Sequence, residues 1–305
     1  MKLLVIGSLN IDLSVETERK PEAGETLFSK SFAVACGGKG ANQATAASKL
    51  GLDVSIVGCV GKDAFGERLL NNLKNEKVDV SGVAFGKEGT GTALINVFGS
   101  DNTIIVFSGA NGEVDCAAVD SAEEKINSCD AVLFQLEIPL STVVYAAKKA
   151  KAAGKKVILN PSPMTELPKE LFHFVDLIFV NEHEASLLLK TEVTPDNAEK
   201  SARDILSFGC REAVITLGEA GSVYASENAS VFTEPIKADA VDTTAAGDTY
   251  TAGFIAERSR GKDVREAMRY ASVAAALAVE KYGASASVPT KSEADKAFLK
   301  HFNKL

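Results

Sequence analysis

The chain has 305 residues, 46% apolar and 24% charged. That is enough to bury a large core and too balanced for a disordered chain. The net charge is −8 with a pI of about 5.1 and no basic stripe, which sets nucleic acid aside as a partner while leaving room for a phosphate ligand held by backbone N–H groups.

No apolar run reaches the roughly 18 residues of a membrane span, so no membrane association is expected. Met1-Lys2-Leu3-Leu4-Val5-Ile6-Gly7 is too short for a signal peptide. The five cysteines are scattered, odd in number and without a C-x-x-C pair. They read as reduced thiols of a cytoplasmic protein.

Residues 3–6 form the first apolar run and predict a buried strand. Asn10 and Asp12 follow, at what the sequence suggests is its carboxyl end, where α/β sheets bind ligands. Gly37-Gly38-Lys39-Gly40-Ala41-Asn42-Gln43 then precedes a small-residue helix over 40–50, stopped by Gly51. It matches neither the P-loop nor the dinucleotide fingerprint. An amide, a carboxylate and a lysine together suit a polyhydroxylated ligand, because each sugar hydroxyl both donates and accepts. A structural turn capped by Asn10 and Asp12 is the alternative.

A strand over 54–58 and an amphipathic helix over 65–76 come next. Two stretches break the alternation. One is 11–34; the other is 92–107, whose apolar runs flank the turn Gly99-Ser100-Asp101-Asn102 and predict a hairpin. Together they predict a small β-sheet, a lid spanning about 11–35 and 92–108 over the cleft of a single domain, 1–305. An edge elaboration without gating is the alternative.

Strands are predicted over 131–136, 157–159, 177–180 and 213–217. Helices are predicted over 141–153, 247–260 and 264–280. This alternation implies α/β architecture with a doubly wound, mostly parallel central sheet flanked by helices.

Val241-Asp242-Thr243-Thr244-Ala245-Ala246-Gly247-Asp248 precedes the helix over 247–260. Its small residues let ligand oxygens approach the backbone N–H groups of Ala245, Ala246 and Gly247, and the helix dipole favours an anion there. Asp248, in the first turn, would accept the proton of an attacking hydroxyl. The competing reading is a first-turn helix acid. His173, His183 and His301 have no metal-ligand spacing and read as surface positions.

These motifs carry a resemblance. Gly7-Ser8-Leu9-Asn10-Ile11-Asp12, Gly24-Glu25-Thr26, Gly37 through Gln43, Gly109-Ala110-Asn111, Gln135-Leu136-Glu137, Leu159-Asn160-Pro161-Ser162-Pro163, Asn181-Glu182, Thr216-Leu217-Gly218, Asp242 through Asp248 and Gly283-Ala284-Ser285-Ala286-Ser287 run in one order over nearly the whole chain. The chain resembles the PfkB carbohydrate kinase family. The resemblance implies an ATP-dependent kinase that phosphorylates the 5-hydroxyl of D-ribose.

On that resemblance, Asn10, Asp12, Gly38, Lys39, Gly40, Asn42 and Glu137 would bind the sugar. Asp248 would be the base, and Ala245, Ala246 and Gly247 the anion hole. Asn181, Thr216, Gly218, Gly221, Gly247 and Ser272 would line ATP, and Glu184 would hold Mg²⁺ through water. Asp242, Thr244, Ala278, Lys281, Gly283 and Ser287 would hold a monovalent cation, K⁺. Without the resemblance, residues 283–287 would read as a surface loop.

The chain departs from the family pattern at Ile11, where a small residue is usual, at Tyr250, where Phe is usual, and at Ser272, where His is common. It also has Thr251-Ala252-Gly253 where Asn-Gly is usual. Rival readings are a kinase of 2-deoxyribose, another sugar or a nucleoside on the same fold, a non-catalytic sugar sensor, and an NAD enzyme. The missing dinucleotide fingerprint opposes the last. The apolar lid strands predict a homodimer, because exposed hydrophobic edges rarely stay bare.

Overall fold

The computed structural model describes residues 1–99 and 101–302. In chain order the elements are β1 (Lys2–Ile6), β2 (Asn10–Thr17), β3 (Ser31–Gly37), α1 (Lys39–Lys49), β4 (Asp53–Val60), α2 (Ala64–Asn75), β5 (Asp79–Phe85), β6 (Gly91–Phe98) and β7 (Asp101–Phe107). A 3₁₀ turn (Gly109–Glu113) leads to α3 (Cys116–Ser121), α4 (Glu123–Ser128), β8 (Ala131–Phe134), α5 (Leu140–Ala152), β9 (Lys156–Leu159), α6 (Lys169–Phe172), β10 (Leu177–Asn181), α7 (Glu182–Leu189) and α8 (Ala198–Leu206). Last come β11 (Glu212–Thr216), β12 (Ser222–Ser226), β13 (Ala229–Thr233), α9 (Ala246–Ser259), α10 (Val264–Val279), α11 (Ala284–Ser287) and α12 (Lys291–Phe302).

Nine strands form the main sheet in the order β13-β12-β11-β10-β9-β8-β1-β4-β5. All pairings are parallel except those of β12 and β13. Alternation along β1 divides the core. Leu3 and Val5 face a cluster with residues of α1, α2, α9 and α10, while Leu4 and Ile6 face a second cluster with residues of α3, α5 and α8. Burial on both faces explains why the strands read as continuous apolar runs.

The second sheet has four strands, in the order β3-β2-β6-β7. Its inner edge begins at Asn10 and Gly91, which pair with each other, and β3 runs to Gly37, so it reaches slightly beyond the predicted spans at that edge. The β6–β7 turn is shorter than expected: Asp101 and Asn102 are paired β7 residues opposite Phe98 and Val97. Of the other two members of the predicted turn, Gly99 follows β6 and Ser100 lies outside the described residues.

Several elements were unread in the sequence. These are β5, the β12–β13 edge hairpin and α12. Residues 283–287 are no surface loop: Ala284–Ser287 is a helical turn and Ser287 is fully buried. Among the described residues, no helix is long and apolar enough to cross a membrane, and all five cysteines are free.

Candidate active site

The crevice forms where the strand order reverses. The chain moves from β1 outward to β4 and β5, then crosses back to β8 on the other side of β1. Loops after β1 and β8 therefore diverge, the place where open α/β sheets bind ligands. Ile6 and Phe134 pair as neighbours at those strand ends, and Asn181 pairs with Thr216 further along the same edge. The loops beyond carry Ser8, Glu137, Asn160 and Gly218.

Asn10 and Asp12 do not lie at the end of β1, as the sequence suggested. They sit on β2, at the root of the small sheet, facing Gly37 and Ala35 of β3. Two glycines are required there. A Cβ on Gly37 would fall 2.2 Å from an Asp12 carboxylate oxygen, and one on Gly91 would fall 2.3 Å from the Asn10 carbonyl oxygen. Ile11 points the opposite way and is fully buried in the core, so this departure leaves the polar face of β2 unchanged.

Glu137 gathers the loops. Its Oε2 accepts from the Lys39 N–H at 2.9 Å, from Asn10 Nδ2 at 3.5 Å and from the Ser8 hydroxyl. Buried Asn111 fixes the other side: its Oδ1 takes the Leu9 N–H at 2.8 Å, and its Nδ2 donates to Asn10 Oδ1 at 2.7 Å. The sequence singled out Asn111 only as part of a motif. Its burial among backbone groups was not legible from spacing.

The Gly37–Gln43 motif runs into its helix, which starts at Lys39, one residue before the expected position. Gly38 is the N-cap, with φ 88°. Gly40 packs helix closely on the β1–β2 loop, since a Cβ there would lie 2.5 Å from the Ser8 nitrogen.

Asp248, one turn into α9, is 7% exposed and takes N–H groups from Gln43 at 2.8 Å and Asn42 at 3.4 Å. The two motifs, some two hundred residues apart, thus meet across α1 and α9. Asn42 Oδ1 is buried without a partner, free for a substrate hydroxyl. Burial pushes the Asp248 carboxyl above its ordinary range, against the charge of Lys39 and the N–H donors. Asp12 is lifted to about 7, first by burial and then by the charge of Glu137.

Ala245 caps α9 in the left-handed region, φ 61°. The other non-glycine residues with positive φ, Lys77 and Lys190, lie at helix C-termini, so a strained alanine opening a helix is the exception. The space before Gly247 is open. First-turn amides lack intrahelical partners, although the Ala246 N–H makes a 3.2 Å bond to the Thr243 carbonyl. Among the described residues, the Ala245 and Gly247 N–H groups have no backbone partner.

At the other end of the crevice Thr216 closes β11, and Gly218 is open. Gly221 is instead buried: a Cβ would fall 2.3 Å from the Thr233 carbonyl, so packing demands this glycine. Ser272 is half-buried within α10. Tyr250 is buried with its hydroxyl 2.8 Å from that of Ser222, tying α9 to β12.

The Asn181-x-x-Glu184 pattern forms a capping box. The Asn181 side chain accepts the Glu184 N–H at 2.7 Å, and Glu184 Oε2 accepts the Asn181 N–H at 3.0 Å. That spacing has a local explanation that the sequence reading passed over.

Asp242 bridges the Thr244 N–H and the Gly283 N–H, each at 2.9 Å. Burial raises its carboxyl, and the hydrogen bonds from Thr244 and Gly283 outweigh that and hold it low. Ala278 and Lys281 lie alongside, joined by a 3.2 Å backbone bond, while Ser287 turns its hydroxyl to Ala284. Among the described residues, no cluster of three or more His, Cys, Asp or Glu could hold a metal ion.

A crevice that sets hydroxyl-binding amides and carboxylates beside a buried base, with a helix N-terminus behind it, belongs to an enzyme transferring an anionic group to an alcohol. The profile of the pfkB family carbohydrate kinases matches residues 1–291, and the chain belongs to that family. A ribokinase of Schizosaccharomyces pombe is 39% identical, with 98% of each chain covered. A deoxyribokinase of Salmonella typhi is 34% identical over 95% of this chain and 96% of its own. The structure of Arabidopsis thaliana ribokinase complexed with ribose and ATP superposes with a TM-score of 0.91 at 34% identity, covering 97% of this chain and 98% of that one.

Proposed function

We propose that this protein is an ATP-dependent ribose kinase, transferring the γ-phosphoryl group of ATP to the 5-hydroxyl of D-ribose. The observation that carries the reading is Asp248, a buried carboxylate in the first turn of α9, facing the hydroxyl-binding groups of α1. Asp248 takes the hydroxyl proton, the oxygen attacks phosphorus and ADP leaves. The Ala245, Ala246 and Gly247 amides face the developing charge. Asn10, Asp12, Gly38, Lys39, Asn42 and Glu137 orient the sugar. Thr216 and Gly218 flank the nucleotide, with Asn181 and Ser272 as further contacts.

The small sheet acts as a lid that excludes water from the transfer. Its exposed apolar residues, among them Phe32, Leu94, Ile105 and Phe107, support pairing with a second copy. The free cysteines support a cytoplasmic setting.

Two cations fit the residues present. Glu184 has one carboxylate oxygen engaged by Asn181, leaving the other for water on a nucleotide-bound Mg²⁺, which would neutralise phosphate charge. The oxygen-rich surroundings of Asp242, with the Thr244, Ala278, Lys281 and Gly283 carbonyls and Ser287, suit a hard monovalent cation such as K⁺, which would order the loop before α9.

The Salmonella deoxyribokinase makes 2-deoxyribose the second reading. The paired Asn10 and Asp12 favour ribose, since a site built for a hydroxyl is left unpaired without it. The test is ATP turnover with ribose by wild type and by Asp248→Asn. The substitution is expected to cut kcat by a factor on the order of 10² to 10⁴ with ribose affinity little changed. Retained turnover would overturn the base assignment.

A further inference from the structure

We infer that Gln43 is the positioning residue for Asp248: a relay of side-chain amides, anchored on a backbone carbonyl, fixes which carboxylate oxygen faces the substrate. The inference rests on the reading of Asp248 as the base and goes beyond it.

The relay starts at the Phe179 carbonyl of β10, which can only accept. Asn160 Nδ2 donates to it at 3.0 Å, so Asn160 must turn Oδ1 toward Gln43. Gln43 Nε2 donates to that oxygen at 2.9 Å and to Asp248 Oδ1 at 2.8 Å. Both hydrogens of the Gln43 amide are then used. Its Oε1 is left to face Gln135, whose Nε2 donates to it at 2.5 Å.

Gln43 and Gln135 are fully buried, so water offers no easy replacement. A flipped Gln43 amide would set its oxygen against two acceptors, Asn160 Oδ1 and Asp248 Oδ1, and its NH₂ against the Gln135 donor. Only one Gln43 orientation meets both acceptors, while Gln135 Oε1 stays buried without a partner among the described residues. Asp248 Oδ1 is therefore held by the relay. Oδ2, which among the described residues takes only the long 3.4 Å contact from Asn42, is the oxygen left to receive the substrate proton. A base acts through alignment first and basicity second, and the relay supplies the alignment.

The relay also acts on basicity. The Gln43 N–H favours the ionised carboxylate and opposes the rise that burial imposes. A neutral amide does this without the stronger depression that a paired cation would bring.

The experiment compares Gln43→Leu, Gln135→Met and Asp248→Asn with wild type, using kcat against pH, ribose affinity by calorimetry and thermal unfolding of the same preparations. Gln43→Leu is expected to bind ribose normally and to lose kcat on the order of a hundredfold, as misplaced catalytic groups do. Its acid limb is expected to move to higher pH, because a donor to the carboxylate is gone. Gln135→Met is expected to move the limb the same way by less.

A fall in kcat with the limb unmoved would show a merely structural role and overturn the inference, as would unchanged kcat. Should Gln43→Leu fail to fold, Gln135→Met decides by the same criteria. Failure of the underlying reading is separate: it appears as turnover retained in Asp248→Asn.

Discussion

At the scale of single residues, Asp12 shows a binding group held at a cost to the fold. Its carboxyl rises from 3.8 to about 7 through burial and the charge of Glu137. The folded state thus holds the proton more tightly than the unfolded chain, and stability is lost as pH rises from near 4 to near 7. The ceiling is about 4 kcal/mol, from roughly 1.4 kcal/mol per pKa unit. Asp12→Asn removes this cost. It is expected to raise the melting temperature at pH 8 more than at pH 5 while weakening ribose binding, as scanning calorimetry and titration calorimetry would show. An equal gain at both pH values would reject the coupling.

The sequence made Asp248 and Asn42 visible because they sit in unusual small-residue motifs, and Glu137 only through the resemblance to the family. It could not show Gln43, Asn111 or Asn160 at work. Their partners lie on other elements, and amide orientation follows from three-dimensional contacts alone. Gly40 and Gly221 show the converse: a glycine needed for close packing looks the same in sequence as one needed for a ligand.

At the scale of elements, the capping box of α7 separates two roles at one residue. Asn181→Ala is expected to cost about 1 kcal/mol of stability through the lost cap. Asn181→Ser keeps a capping oxygen and should restore most of it. If Asn181 also serves the nucleotide, KM for ATP stays raised in both variants. A KM that recovers with the cap would leave Asn181 a structural role only.

A similar joint sits at the root of the small sheet. Asp63 caps α2 through the Gly66 N–H and accepts both the N–H and the hydroxyl of Thr90, one residue before β6. Asp63→Ala is expected to destabilise by about 1–2 kcal/mol and to raise KM for ribose, measured by denaturant titration and steady-state kinetics. The central parallel strands were legible because burial on both faces makes them apolar runs, whereas β5, parallel but largely uncovered at the sheet edge, was not. The β12–β13 hairpin escaped notice because its strands are short and mixed in polarity at a sheet edge.

At the scale of the molecule, the small sheet exposes apolar side chains on both faces, Ile104 and Val106 of β7 on one and a larger set on the other. Leu94 pairs with Ile105 and Thr92 with Phe107, so these side chains share a side, together with Phe32. Leu94, Phe107, Phe32 and Ile105 are 50% to 67% exposed, a patch that favours burial against a second copy. Light scattering is expected to report a dimer, and Ile105→Lys with Phe107→Lys a monomer. A wild-type monomer would refute the pairing.

The reversal of strand order between β1 and β8 and the meeting of α1 with α9 together build a site for a hydroxylated sugar. The most direct test of that account is kcat/KM with ATP for D-ribose, 2-deoxyribose, fructose and adenosine. The account predicts that ribose exceeds each of the others by roughly a hundredfold or more, with phosphate on the 5-oxygen. Equal or better turnover of 2-deoxyribose would contradict it.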